Sequence, residues 1–145
     1  PHKNVAWEDK KFLTKSGKIE FNFNKMNYNK EESKFRLLTN HSKDTLFSQH
    51  VMDEKGPAKA YINSKEAKKL NIYEEENVSL ISDNGKITVQ IIIDDCIRDN
   101  IVMMYVGWWR KHGNPNYITV SGISDIGGQV TYNETLVEIV KEKGE

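Results

Sequence analysis

The sequence predicts a mainly β domain, a small β-barrel with one or two short helices inserted between its strands. About seven or eight runs of strand length, rich in β-branched and aromatic residues, recur along the chain and favour this class. A turn at Asp83-Asn84-Gly85 separates two of these runs, and an Asn-Gly turn in that setting is a strong hairpin signal. Residues Ile101–Val106 form an apolar run that is too short to span a membrane and is typical of a buried strand.

Length, charge and cysteine content limit the function classes. At 145 residues the chain is long enough for a proper core. Its 21 basic side chains balance 21 acidic ones, so no overall charge favours a nucleic acid or an anionic membrane, and we expect neither as a partner. No signal peptide or spanning run is recognisable, and the single cysteine, Cys96, suits a reducing compartment, so we expect a cytoplasmic protein without membrane insertion. The chain begins with Pro1 and not Met, which favours a fragment of a longer protein.

The first third of the chain predicts a lead-in followed by one buried strand. Residues 1–34 are polar and lack a clear period, apart from a short alternating strand expected at Lys18–Phe23. Phe35–Thr39 predicts a short buried strand. The run that follows, Asn40–His50, is rich in hydroxyl, amide and imidazole side chains. A loop of this length either binds a ligand or is a solvated loop with local Ser/Thr turns. The residues alone favour neither interpretation.

The middle of the chain predicts a strand, a helix and the hairpin. Ala58–Ile62 has strand character. Asn63 precedes Glu66 by three residues, a capping pattern that starts a short helix. The helix is expected to run through Leu70 and to end at Asn71, a residue that tolerates the left-handed conformation. The hairpin arms are expected at Val78–Ile81 and Ile87–Ile93.

The buried strand at Ile101–Val106 leads to two adjacent tryptophans and a polar loop. Neighbouring side chains of an extended chain point to opposite faces, so Trp108 and Trp109 cannot both enter one core. One is expected inside, and the other against a neighbour or in the wall of a site. The loop at 110–116 is either an ordinary loop or one that presents a site to a ligand, and these residues alone favour the ordinary loop. Two further strands are expected at Ile118–Val120 and Thr135–Val140.

The residues favour binding over catalysis. The chain has no nucleophile elbow, no phosphate-cradling glycine loop and no metal-ligand spacing. The adjacent Asp94 and Asp95 are typical of a solvated turn, and Cys96 beside them is expected to be a half-buried thiol, not a nucleophile. The loops 40–50 and 110–116 offer amide, hydroxyl and imidazole groups beside tryptophan rings, which suits a large heterocycle carrying phosphates. Local positive charge for phosphates would come from Lys43, Arg110 and Lys111.

Six stretches of the sequence resemble, in the same order, motifs of one protein family. They are Thr14–Glu20, Leu38–Ser42 with Ser48-Gln49, Ile62–Ile72, Asn84–Lys86, Gly107–Trp109 with Asn116–Thr119, and Gly128–Tyr132. The family is the C-terminal molybdopterin-dinucleotide-binding domain of the molybdenum and tungsten oxidoreductases, the dimethyl-sulfoxide-reductase and formate-dehydrogenase superfamily. Each motif is short, but six in the right order, from Thr14 to the end of the chain, are hard to produce by chance.

The resemblance implies a six-stranded double-psi β-barrel with helical insertions over residues 35–145, and it makes residues 1–34 the end of a preceding domain. It implies a bis-(molybdopterin guanine dinucleotide) cofactor with molybdenum or tungsten, held and oriented for two-electron redox catalysis by the full-length enzyme. The residues implied to line the cofactor are Thr39, His41, Ser42, Phe47, Ser48, Trp108, Asn116, Tyr132 and Asn133. His41 stands where relatives often carry arginine.

The same resemblance implies which parts of the enzyme lie elsewhere. The metal ligand, the iron–sulfur cysteines and the substrate channel belong to other domains in this family. Those remaining domains of the parent are the expected partners, and the isolated fragment is not expected to be catalytic.

Three other interpretations remain at this stage. The first is a freestanding binding or interaction module on the same barrel, which has no reason to carry the Trp-Trp motif. The second is a small cofactor-binding subunit of a multi-chain enzyme, although the lead-in at Thr14–Glu20 favours a fused C-terminus. The third is a self-processing barrel-type decarboxylase, which needs a Gly-Ser bond that this sequence lacks.

Overall fold

The chain divides into two units, Pro1–Lys30 and Glu31–Glu145. The computed structural model describes residues 7–21, 34–46, 55–124 and 127–142. In the first unit the described residues form turns, and the rings of Trp7 and Phe12 stack with their centroids 6.3 Å apart. The predicted domain boundary after residue 34, and the origin of residues 1–34 in a preceding domain, stay predictions.

The strand predicted at Lys18–Phe23 does not form in its described part, 18–21. Local side-chain bonds take its place: the Thr14 hydroxyl donates to the Lys18 carbonyl at 2.6 Å, and the Ser16 hydroxyl donates to the Glu20 carboxylate at 2.6 Å. Serine and threonine side chains compete in this way with the backbone hydrogen bonds of a β-sheet. An alternating polar and apolar pattern does not reveal this competition. The last two residues of the predicted strand lie outside the described residues.

The second unit is a closed β-barrel of six strands. The strands are β1 Phe35–Asn40, β2 Ala58–Ile62, β3 Asn77–Ser82, β4 Gly85–Ile93, β5 Ile101–Tyr105 and β6 Leu136–Lys141. Their order around the barrel is β1-β5-β2-β4-β3-β6. β1 pairs in parallel with β5 and β2 with β4, whereas the other neighbours are antiparallel. This confirms the mainly β, six-stranded double-psi barrel that the sequence resemblance implies.

The β3–β4 hairpin is the longest paired segment of the barrel. Its register runs from Asn77 opposite Gln90 to Ser82 opposite Gly85, which leaves Asp83 and Asn84 as a two-residue loop. Alternate residues of β4 are buried, Ile87, Val89 and Ile91, whereas β3 buries the consecutive residues 78–80. The barrel interior is filled mainly by aliphatic side chains, among them Leu37, Ala60, Ile62, Val78, Leu80, Val89, Ile91, Val102, Met104 and Val137.

Helix α1, Ser64–Leu70, follows β2 and confirms the capping pattern at its two ends. The Asn63 side chain accepts a hydrogen bond from the Lys65 amide at 2.9 Å. Asn71 adopts φ 55° and ψ 41°, the left-handed conformation expected where the helix ends. Glu66 is buried and pairs with the Lys69 ammonium at 2.8 Å instead of completing a capping box.

The parallel pairing of β1 with β5 brings two distant loops to one edge of the barrel. Carboxyl ends of parallel strands meet at the same edge. The Val106 amide donates to the Asn40 carbonyl at 2.9 Å, so the chains leave β1 and β5 side by side. The two loops therefore start from neighbouring strands.

The prediction of a strand at Ile118–Val120 is wrong. Ile118 follows a 3-10 turn at Pro115–Tyr117, and its side chain is fully buried. Its carbonyl accepts from the Ser82 hydroxyl at 2.7 Å instead of from a neighbouring strand. A buried β-branched residue thus fills space below a loop. A short apolar run in the sequence does not show whether its residues are buried in this way or in a strand. The described residues accordingly form six barrel strands, fewer than the predicted seven or eight.

Candidate functional site

A cleft of about 610 Å³ lies at the shared edge of β1 and β5. It is lined by Thr39, His41, Val106, Gly107, Trp108, Trp109, Arg110, Asn114, Asn116, Thr119 and Tyr132. One wall therefore comes from the end of β1 and the following loop, and the other from the chain between β5 and residue 119. Tyr132, in a 3-10 turn before β6, contributes a third side.

The two adjacent tryptophans divide between core and surface, as expected from their spacing. Trp108 is 6% exposed and belongs to the core, whereas Trp109 is 48% exposed. Both line the cleft. The His112 ring packs edge-on against Trp108 with a centroid distance of 6.1 Å, and the Lys111 ammonium lies 5.2 Å from the centroid of Trp109. An indole anchored in the core gives the cleft a rigid apolar floor.

The chain between residues 110 and 119 is built by specific local contacts, and this favours the site interpretation over that of an ordinary loop. Asn114 caps the second of two 3-10 turns, its side-chain oxygen accepting from the Asn116 amide at 2.8 Å. Pro115 between them is fully buried. The Tyr117 and Ile118 amides donate back to the Asn114 and Pro115 carbonyls at 3.2 and 3.0 Å. The Asn114 and Asn116 side chains are thus attached to a backbone that already has a fixed shape.

The opposite wall is tied together by Asn133. Its side-chain oxygen accepts from both the amide and the hydroxyl of Thr39, at 3.2 and 3.3 Å. The Thr135 hydroxyl, fully buried, donates to the Tyr132 carbonyl at 2.8 Å and accepts from the Val120 amide at 3.0 Å. These bonds fix Tyr132 relative to the end of β1.

The structure brings together five of the nine residues implied to line the cofactor. Thr39, His41, Trp108, Asn116 and Tyr132 all line the cleft. That these residues contact a cofactor stays a prediction.

The other four residues do not add to the described wall. Asn133 lies behind Thr39, where it positions that residue. The Ser42 hydroxyl closes a local turn, at 2.8 Å from the Thr45 hydroxyl. Phe47 and Ser48 lie outside the described residues.

Sequence reasoning did not assign six of the residues that line the cleft, and four of these carry polar or aromatic side chains. Arg110 was expected only as a source of local charge, yet it lies on the cleft wall with its guanidinium carbon 5.4 Å from the Tyr117 ring centroid. Asn114 and Thr119 flank Asn116 and face the same space. For Trp109 the sequence left open whether it enters the core or lies in the wall of a site. The Asn-Pro-Asn pattern is the signal that marks Asn114, because an asparagine before proline is typical of a turn cap.

The charge of the cleft suits an anion. Its lining carries the Arg110 guanidinium and the His41 imidazole, and no acidic side chain is among the described residues that line it. Hydroxyl and amide groups from Thr39, Asn114, Asn116 and Thr119 add donors and acceptors. Such a cleft offers an apolar floor for a heterocycle and polar groups for its edges and phosphates.

The Asp94–Cys96 turn is a structural feature. The Asp95 carboxylate accepts from the Ser64 amide at 3.1 Å, and bonds from Ser64 hold the pKa of that carboxyl below its ordinary value. Asp94 accepts from the Cys96 amide at 2.9 Å, and its hydrogen bond and charge raise the pKa of the Cys96 thiol. The Cys96 thiol is exposed, not half-buried as the sequence predicted. A raised pKa disfavours its thiolate form. The Asp95 side chain of this turn bonds the first amide of α1.

Neither a metal-ligand cluster nor a membrane-spanning helix occurs among the described residues. Within them no group of three or more histidine, cysteine, aspartate or glutamate side chains is placed to hold a metal ion. No helix among them has the length and apolarity needed to cross a bilayer.

Comparison with known families identifies the type of domain. The family model described as molydopterin dinucleotide binding domain matches residues 28–136. The chain belongs to this family. As a molybdopterin dinucleotide-binding domain, it places its cleft where two strand-end segments, far apart in sequence, converge.

A solved structure with the same fold is acetylene hydratase from Pelobacter acetylenicus. The two chains superpose with a TM-score of 0.64 over 76% of this chain, with 13% sequence identity. The matched region spans 18% of the acetylene hydratase chain, so this chain corresponds to one part of a much longer protein there. Among curated proteins, no sequence matches this chain significantly.

The described residues of the cleft fit a molybdopterin dinucleotide. Trp108 and Trp109 provide aromatic surface for a fused ring system, and the neighbouring amides and hydroxyls match a ring edge rich in donors and acceptors. Arg110 provides the fixed positive charge that a phosphate requires. The cleft also lacks acidic groups among these residues, so nothing in its described wall repels an anionic ligand.

Proposed function

We propose that this domain holds and orients a bis-(molybdopterin guanine dinucleotide) cofactor, carrying molybdenum or tungsten, as the C-terminal part of a two-electron oxidoreductase in the cytoplasm. The observation that carries the proposal is the shared cleft: Thr39 and His41 from one strand end face Trp108 and Asn116 from another. The remaining domains of the parent would supply the metal ligand, any iron–sulfur cluster and the substrate channel. The isolated domain is then not expected to turn over substrate.

The domain's own residues would bind and orient the ligand. The Trp108 and Trp109 rings would pack against the pterin, and Asn116, Asn114 and Thr119 would bond to its polar edge. Arg110 and His41 would contact phosphate oxygens by charge-assisted hydrogen bonds. When bound, the cofactor supplies the redox chemistry, and the protein supplies position and electrostatic environment.

The redox class of the parent is a separate question from cofactor binding. The neighbour with this fold is named a hydratase, and hydration transfers no electrons to a second substrate. The oxidoreductase assignment therefore rests on the sequence resemblance, and it is tested by assaying the parent with an electron donor or acceptor. The cytoplasmic assignment rests on the single cysteine and is tested by fractionating cells that express the parent.

The cofactor-binding proposal is tested in the intact parent by replacing Asn116 with alanine. Loss of one or two buried hydrogen bonds is expected to weaken cofactor retention by about fivefold to tenfold. Retention is measured as metal content by mass spectrometry and as pterin content by fluorescence after denaturation. Chromatography of the nucleotide released on hydrolysis tests the guanine form.

The matched control is Asn77→Ala, an exposed asparagine at the start of β3 that does not line the cleft. Retention in this variant is expected to equal that of the parent enzyme. Full occupancy in Asn116→Ala as well would remove the Asn116 loop from the cofactor site.

A further inference from the structure

The turn of the β3–β4 hairpin reaches across to the loop that carries Asn116. The Ser82 hydroxyl donates to the Ile118 carbonyl at 2.7 Å. The Asn84 side-chain amide donates to the Thr119 carbonyl, also at 2.7 Å. Two consecutive carbonyls of the cleft loop are thus bonded by side chains that lie about 35 positions earlier in the sequence.

The hairpin side of this contact is itself fixed. The Ser82 hydroxyl accepts from the Asn84 amide at 3.1 Å, so the same oxygen closes the turn and donates to the loop. Ser82 pairs with Gly85 in the β3–β4 ladder, which is the longest in the barrel. The ladder holds Ser82 in place, and the bond from the Asn84 amide holds the two-residue turn against it. The bonds from these two side chains therefore tie the cleft loop to the end of the hairpin.

Gly85 allows the loop to come this close. A Cβ atom at residue 85 would lie 3.0 Å from the Tyr117 carbonyl oxygen. Neither Asn84 nor Gly85 has a positive φ, so this Asn-Gly pair is not used for a left-handed turn. The glycine serves instead to leave room for the backbone of the cleft loop.

We propose that Ser82 and Asn84 are positioning residues for the cofactor cleft. Neither residue lines the cleft. Each holds the loop backbone that carries Asn116 and Thr119, and these two side chains do line it. The inference rests on the proposed function, since it assigns these two residues the task of keeping the cofactor contacts in register. Binding groups displaced by a fraction of an ångström lose much of their contribution, which is why such supporting bonds matter.

The experiment uses the intact parent and pairs of nearly isosteric variants. Asn84→Asp keeps the shape of the side chain but removes the donor, and Ser82→Ala removes the hydroxyl. Each is expected to speed cofactor release by about fivefold. Ser82→Thr keeps a hydroxyl on a strand residue and is expected to restore the wild-type release rate. The control Asp83→Ala changes the exposed residue between the two and is expected to leave release unchanged.

A double-mutant cycle separates positioning from general stabilisation. In a background in which Asn116 and Thr119 are both alanine, the two cleft side chains that the hairpin is proposed to place are gone, so Asn84→Asp is expected to change release by less than about twofold. A merely structural role would give the same factor in both backgrounds, and that outcome would overturn the proposal. Fast release from Ser82→Thr would contradict it as well.

The cycle also distinguishes this inference from the function on which it rests. If Asn116→Ala releases cofactor quickly while Ser82→Ala and Asn84→Asp do not, the positioning role is wrong and the cofactor site stands. If Asn116→Ala and Thr119→Ala together leave release unchanged, the site itself is wrong, and the positioning role fails with it.

Discussion

Gly113 is the residue at which the backbone of the cleft loop has the least freedom to change. It has a φ of 99°, and a Cβ atom there would lie 2.6 Å from the Thr88 carbonyl oxygen in β4. The sequence marks Gly113 as a loop residue, but it does not reveal that the loop lies against the barrel at that point. The close approach comes from tertiary packing, which a pattern of neighbours along the chain does not contain.

We expect Gly113→Ala to destabilise the chain by about 2–4 kcal/mol, since the positive φ and the collision with a backbone oxygen both oppose it. The measurement is urea unfolding of this chain. The control is Gly127→Ala, where φ is 83° and a Cβ would meet no atom within 4 Å. Equal losses in the two variants would show that the φ alone matters and that contact with Thr88 contributes nothing.

The tryptophan pair separates stability from binding at neighbouring positions. Trp108 is 6% exposed, so Trp108→Ala is expected to cost about 3–5 kcal/mol in the free energy of unfolding. Trp109 is 48% exposed, and Trp109→Ala is expected to change it by less than about 1 kcal/mol while weakening cofactor retention in the parent. Urea unfolding and pterin content measure the two effects. A large stability loss in Trp109→Ala would show that the two rings do not divide their roles in this way.

At the scale of elements, strands and helix were predictable because each carries its own periodicity or cap. Residues next to one another in sequence decide both ends of the helix, at Asn63 and Asn71. The same is true of the hairpin turn at Asp83-Asn84. The strand prediction at Ile118–Val120 failed because a residue buried beneath a loop, as Ile118 is, gives the same apolar pattern as a strand.

The candidate site was predictable only where a known motif marked it. Trp108 and Asn116 were found through the family resemblance, whereas Arg110 and the positioning residues Ser82 and Asn84 depend on contacts between distant segments. Such contacts are decided by the strand order of the barrel, in which β1 lies beside β5. A local pattern does not encode that order.

The end of β6 carries an acidic group that ties three strands together. The Glu142 carboxylate accepts from the Thr88 hydroxyl of β4 at 2.7 Å and from the Ser79 hydroxyl of β3 at 3.1 Å. These bonds hold the pKa of Glu142 below its ordinary value of 4.5. The folded state therefore favours the ionised form, and the resulting stabilisation is complete above the ordinary pKa.

We expect this stabilisation to be lost as the pH falls from the ordinary value through the lowered pKa. The difference in unfolding free energy between the wild type and Glu142→Gln should then be larger at about pH 7 than at about pH 3. Urea unfolding at both pH values measures it. Glu138→Gln, on the same strand and exposed, is the control. A difference for Glu142→Gln that does not change with pH would show that the carboxylate has no preferential role in the folded state.

At the scale of the whole molecule, the barrel closes through a short seam, the pairing of β1 with β6. β1 and β6 share two register pairs, Phe35 with Val137 and Arg36 with Leu136. β2 and β5 also share two, whereas β3 and β4 share six. The seam is supplemented by the Leu37 amide, which donates to the Thr135 carbonyl at 2.9 Å. Short ladders open locally at lower free energy than long ones, so the seam is expected to open before the β3–β4 ladder.

The seam lies directly beside the cleft. Thr39 is at the end of β1, and Tyr132 precedes β6, so a ligand that contacts both would join the two sides of the seam. A ligand that binds the closed form stabilises it by RT ln(1 + [L]/Kd), about 2.7 kcal/mol at a concentration of one hundred times Kd. We therefore expect cofactor binding and closure of the barrel to be coupled.

This coupling is measurable by amide hydrogen exchange in the parent enzyme with and without cofactor. Without cofactor, the Leu37 amide in the seam is expected to exchange faster than the Val89 amide in the β3–β4 hairpin. With cofactor, exchange at Leu37 should slow by about a hundredfold, while the hairpin, which opens only with the whole barrel, should gain no more than the same factor. Equal protection at both amides without cofactor would contradict the weak seam. Unchanged exchange at Leu37 on binding would show that the ligand does not join Thr39 to Tyr132.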